Sequence, residues 1–334
     1  MAMPGTSPGR LLPLLDPRET HALIPGHHPG LTLFLRHLAP PEDGPRDRPV
    51  VLYLHGGTFP SALSIAHRFD GRSWRDALCA AGCHVWALDC HGFGFSDPYP
   101  QMAEPAAAHA PLGRAADASR QLEQAVRFVG AHHRVASVAI VAHSWGTIVA
   151  GHLAGRCPEL VGRLVFFGPI ARRAAAGDPV HLPAWRLISL ADQWERFTAD
   201  VPPGEAAVLQ RQDFDAWGEA YLDVDPASRT RSPPAVKVPS GAFQDIFDAF
   251  GGKLAYDPGL IRCPTAIIRG EWDSLCTDTD AAWLFAALAS APLRRDVKIG
   301  RATHLMHLES GRCALYREAE TFLLGRDGAP EQRS

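Results

Sequence analysis

The sequence predicts an α/β fold in which a mostly parallel central sheet is flanked by helices and interrupted by one helical insertion. Several short runs are apolar at every position, which is typical of strands buried on both faces of a sheet. Stretches with apolar residues at helical spacing lie between these runs, and strands that alternate with helices favour parallel pairing. A long aromatic segment without this alternation indicates the insertion.

The first elements of the predicted core follow an N-terminal arm. Residues 1–30 are rich in Pro, Gly and His, and we expect them to form that arm. Residues 31–38 alternate in hydropathy and predict an early antiparallel strand. Residues 50–55 and 83–89 read as buried strands, and the helical stretch 73–81 lies between them.

The remaining core elements continue the alternation of strands and helices. Residues 115–130 predict an amphipathic helix, because their apolar residues recur on one face. A second helix should run from the turn at His143 to about Gly155. Further buried strands are predicted at residues 136–142, 164–167, 265–268 and 297–299, the last two each followed by a helical segment.

The pattern changes between residues 170 and 258, which we call the insertion. This segment mixes aromatic residues with Pro-rich turns, shows no clear strand, and is too long for a loop within a compact domain. We therefore expect a helical insertion between two parts of one core, residues 31–169 and 259–326. Its aromatic residues are Trp185, Trp194, Phe197, Phe214, Trp217, Tyr221, Phe243, Phe247 and Phe250.

Composition and charge exclude several classes of protein. Of the 334 residues 46% are hydrophobic, which excludes global disorder. The 33 basic and 36 acidic residues give a net charge of −3 without a basic stretch, which argues against nucleic acid or an anionic membrane as partner. The first twenty residues lack a basic leader, and Pro13 breaks their apolar run. We therefore expect neither a signal peptide nor a membrane span. We expect the protein to be cytoplasmic.

The cysteines and histidines predict no metal or cofactor. The seven cysteines are scattered and form no CxxC, which is typical of free thiols in a reducing compartment. No histidine lies in an HExxH motif, and His27-His28 and His132-His133 are adjacent residues that point in different directions. The G-x-G at residues 92–94 lacks the third glycine of a dinucleotide fingerprint.

The sharpest chemical motif is Val-Ala-His-Ser144-Trp-Gly-Thr, between a buried strand and a helix. A tight strand-to-helix turn exposes the serine Oγ and directs the N–H of Trp145 towards a developing oxyanion. The usual pattern is G-x-S-x-G, because strand and helix approach closely there. Here Ala142 replaces the first glycine and Gly146 is kept, a departure of one methyl group.

Other residues complete this constellation in the order Ser, Asp, His. The strand before His55 should end beside a second oxyanion N–H, from Gly57 or Thr58. Downstream, Asp273 follows a predicted strand, and His304 lies in the loop between the last strand and the last helix.

Taken together, these motifs resemble the α/β-hydrolase superfamily over about residues 30–325, with the insertion in place of the family's cap domain. The resemblance implies that Ser144 is the nucleophile, His304 the base and Asp273 the residue that orients the imidazole. The serine separates the chain from the superfamily's dehalogenases and epoxide hydrolases, whose nucleophile is an aspartate. The motifs are HGG at 55–57, LDCHGFGFSD at 88–97, AHSWG at 142–146, GEWD at 270–273 and THLMHLE at 303–309.

Two residues compete for the roles of base and acid. His307 follows His304 by three positions, but the family places its histidine five residues before a glutamate, which fits His304 and Glu309. Glu271 lies two residues before Asp273, on the same strand face but further from the mouth of the site. The pattern therefore favours His304 and Asp273.

Five aromatic or imidazole side chains are predicted to line the substrate pocket, and two cysteines near it are expected to be packed thiols. The pocket candidates are Phe59, His91, His143, Trp185 and Trp217, and the thiols are Cys90 and Cys276.

The predicted function is hydrolysis of a carboxylic ester of a small apolar or aromatic molecule through an acyl-enzyme. The same three residues also support a proline iminopeptidase-like amidase, a lactonase or an acyltransferase. HGGTFP departs from the HGGPG of the iminopeptidase subfamily. A further alternative is a protein of the same fold that binds a hydrophobic ligand without catalysis.

Overall fold

The computed structural model describes residues 14–42, 48–174 and 180–325, and its centre is an eight-stranded sheet. The spatial order of its strands is β1-β2-β4-β3-β5-β6-β9-β10, and β7 and β8 form a separate two-stranded sheet. The strands are β1 Thr20–Pro25, β2 Thr32–Leu38, β3 Val50–Leu54, β4 His84–Asp89, β5 Val138–His143, β6 Val161–Phe167, β7 Trp185–Ser189, β8 Ala235–Pro239, β9 Thr265–Gly270 and β10 Arg294–Ile299.

Helices cover the sheet and fill much of the insertion. The α-helices of the described residues are α1 Trp74–Ala80, α2 Ala115–His133, α3 Trp145–Arg156, α4 Leu190–Thr198, α5 Arg211–Asp223, α6 Gly241–Phe250, α7 Asp278–Ala287 and α8 Arg312–Leu323. Within the described ranges, no helix has the length and apolar character needed to cross a membrane.

The predicted mostly parallel sheet is confirmed. β3 pairs in parallel with β4 and β5, and the parallel pairing continues through β6, β9 and β10. All five residues of β3 are buried, as expected of a strand covered by helices on both faces. Because the strands are parallel, the loops after β3, β5 and β9 meet at one edge of the sheet.

The prediction of an N-terminal arm over residues 1–30 is wrong at residues 20–25. Thr20–Pro25 forms β1, an edge strand that pairs antiparallel with β2 from Thr20↔His37 to Pro25↔Thr32. Residues 1–13 lie outside the described part of the chain. The sequence pattern does not indicate this strand, because its apolar run is only three residues long, at 22–24, and Ile24 is the only residue of the strand that is buried.

The insertion lies between β6 and β9, but it is not purely helical. It contains α4, α5, α6 and the antiparallel pair β7–β8, which the sequence pattern did not indicate. These strands are five residues long and carry Arg186 and Lys237, so they lack the apolar signature of the core strands. Residues 175–179 of the insertion lie outside the described residues.

Candidate active site

Ser144 occupies a sharp turn between β5 and α3. Its backbone has φ 54° and ψ −125°, a conformation that costs a non-glycine residue about 1–3 kcal/mol. The Ser144 N–H donates to the carbonyl of Phe167 at 2.9 Å, which fixes the turn against β6. Only glycine fits at position 146, because a Cβ there would lie 2.6 Å from the His55 carbonyl oxygen. The close approach of α3 to β3 therefore holds the strained serine in place.

Ser144, His304 and Asp273 form a continuous chain of hydrogen bonds. His304 Nε2 lies 2.8 Å from Ser144 Oγ, and His304 Nδ1 lies 2.9 and 3.0 Å from the two carboxylate oxygens of Asp273. A carboxylate accepts only, so Nδ1 carries the proton and Nε2 presents its lone pair to the serine hydroxyl. All three residues are buried. The arrangement allows proton transfer from Oγ to an imidazole that is oriented by a carboxylate.

Backbone groups hold Asp273 in position. Its Oδ1 accepts the N–H groups of Leu275 at 2.9 Å and Cys276 at 3.0 Å. Glu309 braces the loop of His304, since its carboxylate accepts the N–H of Thr303 at 3.2 Å and the Thr303 hydroxyl. Burial raises the pKa of Glu309 to about 7. These hydrogen bonds therefore fix the loops that carry Asp273 and His304.

The two competing residues are placed differently. Both ring nitrogens of His307 are buried without a hydrogen-bond partner among the described residues. Its ring packs against His143 at 4.6 Å and Phe167 at 5.1 Å, and burial holds its pKa well below the usual value. Glu271 is exposed, and its carboxylate accepts the N–H of Arg301 at 2.9 Å. Neither residue joins the chain that ends at Ser144 Oγ.

Trp145, the first residue of α3, and the loop after β3 lie side by side next to Ser144. A Cβ on Gly57 would lie 3.9 Å from Trp145 Cβ and 2.8 Å from Ala242 Cβ. His55 accepts the N–H of Cys90 at Nε2, at 3.1 Å, so its Nδ1–H donates to the Gly56 carbonyl at 2.6 Å. In a trans peptide the next N–H points away from that carbonyl, which directs the Gly57 N–H away from His55. Thr58, also buried, follows directly.

Three of the five predicted pocket residues pack around this site. The Phe59 ring contacts Trp217 at 5.2 Å, His307 at 6.2 Å and, from α4, Phe197 at 6.4 Å. Trp217 is almost fully buried. His143 stacks on the ring of Phe167, and its Nε2–H donates to the His304 carbonyl at 3.1 Å.

The other two pocket candidates make different contacts. The Nδ1–H of His91 donates to the Asp97 carbonyl at 2.9 Å, and its ring packs against Tyr99. The indole of Trp185 donates to the Glu104 carbonyl at 2.9 Å, and the ammonium of Lys237 lies 4.0 Å from the ring centre. These contacts place neither His91 nor Trp185 against the hydrogen-bonded residues Ser144, His304 and Asp273. Cys90 and Cys276 are buried free thiols, and burial raises the pKa of both.

Asp245, on α6 of the insertion, is a residue of this site that the sequence motifs do not indicate. Its Oδ2 accepts the indole N–H of Trp145 at 2.9 Å and the N–H of Ala115 at 2.6 Å, and its Oδ1 pairs with Arg114. Burial raises the pKa of this carboxyl. One signal was available: Asp245 shares a helix face with Ala242 and Ala249, which makes it a polar residue on an apolar stripe. Its carboxylate links the insertion to the residue after the serine.

Comparison with known proteins defines the family. Residues 49–311 match the family described as the α/β-hydrolase fold, and the chain belongs to that family. It is 35% identical over 127 residues to a haloalkane dehalogenase of Bradyrhizobium diazoefficiens, covering 37% of this chain and 33% of the relative. It is 28% identical over 201 residues to a haloalkane dehalogenase of Mycolicibacterium paratuberculosis, covering 56% and 60%. The chain thus spans between a third and three fifths of these relatives' length.

Solved structures show the same fold. The carboxylesterase CesB of Bacillus subtilis aligns with a TM-score of 0.58 at 15% identity, over 95% of both chains. The resemblance to α/β hydrolases that the motifs indicate is therefore confirmed.

Proposed function

We propose that the protein is a serine hydrolase that cleaves carboxylic esters through an acyl-enzyme intermediate. The observation that carries this proposal is the hydrogen-bonded chain from Asp273 through His304 to Ser144 Oγ, at a strained strand-to-helix turn. A serine hydroxyl becomes an effective nucleophile when an oriented base takes its proton.

The first chemical step follows from these positions. Ser144 Oγ attacks the carbonyl carbon of the ester while His304 Nε2 accepts the hydroxyl proton, and Asp273 stabilises the imidazolium. The N–H groups of Trp145 and of Gly57 or Thr58 hold the oxyanion, each contributing about 3–4 kcal/mol to lowering the barrier.

The second half of the cycle reverses the proton transfer. His304 gives its proton to the leaving alkoxide, the alcohol departs, and Ser144 keeps the acyl group. Water then attacks the acyl carbon with His304 as base, and the carboxylic acid is released as Oγ regains its proton.

The two haloalkane dehalogenase relatives suggest a different reaction, which the serine disfavours. Attack of a serine oxygen on a haloalkane would form an alkyl ether with no carbonyl for water to attack. A carboxylate nucleophile would form an ester that water can cleave. With Ser144 at the turn, the second step of dehalogenation has no route through the nucleophile, whereas acyl transfer has one.

We further propose that the insertion, residues 170–258, caps the site and that residues 31–169 and 259–326 form the catalytic core. Phe197 and Trp217 of the insertion pack on Phe59, which follows the predicted oxyanion loop. This aromatic cluster favours an apolar or aromatic group on the substrate.

A substrate panel tests the proposal. The wild type is assayed on 4-nitrophenyl esters, proline 4-nitroanilide and a short bromoalkane, and labelled with a fluorophosphonate probe. We expect ester turnover and labelling, both abolished in Ser144→Ala and retained in Ser310→Ala, an exposed serine outside the site. Turnover of the anilide alone would favour the amidase, and bromide release the dehalogenase. Neither turnover nor labelling would favour the binding protein.

A further inference from the structure

Three histidines from separate elements converge at the edge of the sheet away from Ser144. His37 lies on β2, His84 begins β4, and His133 ends α2. One ring nitrogen of each lies within 4.8 Å of one ring nitrogen of each of the other two. His37 Nε2 and His84 Nδ1 are 3.1 Å apart.

Strand register explains why this cluster forms. His37 pairs directly with Trp86 across the β2–β4 ladder, so His84 is its diagonal neighbour on the same face of the sheet. Helix α2 ends over this face, and the indole of Trp86 donates to His133 Nε2 at 2.9 Å. The parallel strand β4 starts here and reaches the catalytic edge about 17 Å further on, at 3.3 Å per residue.

Hydrogen bonds orient the ring of His37 towards His84. The Thr20 hydroxyl lies 3.3 Å from His37 Nδ1, which leaves Nε2 directed at His84. A hydrogen bond to the second ring nitrogen is the usual support of a histidine ligand.

We propose that His37, His84 and His133 form a binding site for one divalent transition-metal ion of the zinc, nickel or copper type, with solvent as the fourth ligand. Two imidazole nitrogens on a tetrahedral zinc ion, each at about 2.0–2.1 Å, lie about 3.3 Å apart, close to the observed 3.1 Å. Imidazole is the ligand that suits these ions. His84 and His133 are half-buried, so the ion has a path from solvent.

The role that this position supports is structural. The ion would join the β1–β2 hairpin, the parallel sheet and the end of α2, and a ligand that binds only the folded state stabilises it by mass action. Binding would replace the hydrogen bond between His37 Nε2 and His84 Nδ1, because both nitrogens must offer a lone pair to the ion. Binding through His133 Nε2 would also replace the hydrogen bond from Trp86. The site takes no part in the proposed ester cleavage, so its test does not depend on activity.

The test uses Zn²⁺ alone, titrated by calorimetry into the chelator-treated full chain, with thermal melting as a second readout. His84→Gln and His133→Gln each remove one ligand from a half-buried position. His28→Gln is the matched control, since His27, His28 and Asp117 form the other group of metal-ligating type among the described residues. In that group both imidazoles already bond to the Asp117 carboxylate, at 2.6 and 2.8 Å.

We expect the wild type and His28→Gln to bind one equivalent of Zn²⁺ and to melt at a higher temperature in its presence. His84→Gln and His133→Gln should each raise the Kd at least ten-fold and lose the melting shift, while melting like the wild type without metal. Absence of Zn²⁺ binding by the folded wild type would overturn the proposal. So would an unchanged Kd in either ligand variant, or loss of binding in His28→Gln alone.

Discussion

Two clusters of buried polar side chains in this molecule differ in how their groups are paired. Near the N-terminus, Glu19 and Asp16 meet Arg36 and Arg75, all four almost fully buried. Arg36 donates to both oxygens of Glu19, and Arg75 pairs with both acids. In this cluster each carboxylate forms an ion pair with at least one guanidinium group.

The cluster at Ser144 is built from different pairings. His304 is the link between one carboxylate and one hydroxyl, while the neighbouring His307 has no hydrogen-bond partner at either ring nitrogen among the described residues. Ser144 itself has a strained backbone. Strain and unpaired polar groups cost stability and persist where surrounding structure enforces them, which is common at functional sites. Arg36 Nη2 and Arg75 Nε also lack a hydrogen-bond partner among the described residues, so neither burial nor incomplete pairing distinguishes the two clusters. The strained serine that is hydrogen-bonded to an oriented imidazole does distinguish them.

The largest expected effect is a loss of activity on substitution in the cluster at Ser144. Asp273→Asn should lower kcat on an accepted ester by about 10⁴-fold, because the amide can donate to Nδ1 and favours the wrong imidazole tautomer. The melting temperature should change little. Glu271→Gln, two residues away and exposed, is the control and should stay within a few-fold of wild type. An undiminished rate in Asp273→Asn would remove Asp273 from the proposed mechanism.

The second prediction concerns stability. Glu19→Ala leaves Arg36 and Arg75 buried without their main partner, and breaking a buried ion pair in this way costs about 3–5 kcal/mol. Urea unfolding should show that loss, while kcat per folded molecule stays at the wild-type value. Glu205→Ala, whose carboxylate pairs with Arg301 at the surface, should cost less than about 1 kcal/mol. If both variants lost the same free energy of unfolding, the buried ion pairs of Glu19 would be worth no more than the surface pair of Glu205, which would contradict this prediction.

A third prediction follows from the pKa of Glu19. Burial alone would raise it, but the bond to His21 and the charges of Arg36 and Arg75 outweigh burial and lower the pKa to about 2, from 4.5. Because the folded-state pKa is the lower one, this stabilisation is complete above about pH 4.5 and disappears as the pH falls towards 2. It amounts to about 3 kcal/mol. The free energies of unfolding of wild type and Glu19→Gln, measured as a function of pH, should converge as the pH falls over this range. A constant difference between them would contradict the lowered pKa of Glu19.

The parts of the molecule that sequence analysis predicted share a local signal. The strand–turn–helix around Ser144 combines an apolar run, a turn and a close-approach glycine within a dozen residues, so its position could be read directly. The strand Thr20–Pro25 could not, because pairing with β2 rather than apolar content makes it a strand. The five-residue strands of the insertion escaped for the same reason.

Residues that depend on distant partners were also missed. Asp245 reaches Trp145 across 100 positions, and His37 reaches His84 across 47. The side chains of the adjacent residues His132 and His133 diverge, yet His133 meets histidines of two other elements. Pattern analysis detects periodicity within an element, whereas such contacts depend on how elements pack, which a single sequence does not encode locally.

The smallest expected effect tests a carboxylate that belongs to both kinds of cluster. Asp245 is paired with Arg114, as Glu19 is with its arginines, but it also accepts the indole N–H of Trp145, whose backbone is proposed to hold the oxyanion. Asp245→Ala should therefore lower the free energy of unfolding by about 1.5–3 kcal/mol and also lower kcat about ten-fold to a hundred-fold, because a small displacement of Trp145 misplaces its N–H. Asp248→Ala removes the partly exposed second partner of Arg114 and the acceptor of the Gln244 amide, but no contact to Trp145, and it should leave kcat unchanged. If Asp245→Ala lost stability with kcat at the wild-type level, Asp245 would act only as a structural ion-pair partner, as Glu19 does. The insertion would then not be coupled through it to the proposed oxyanion N–H of Trp145.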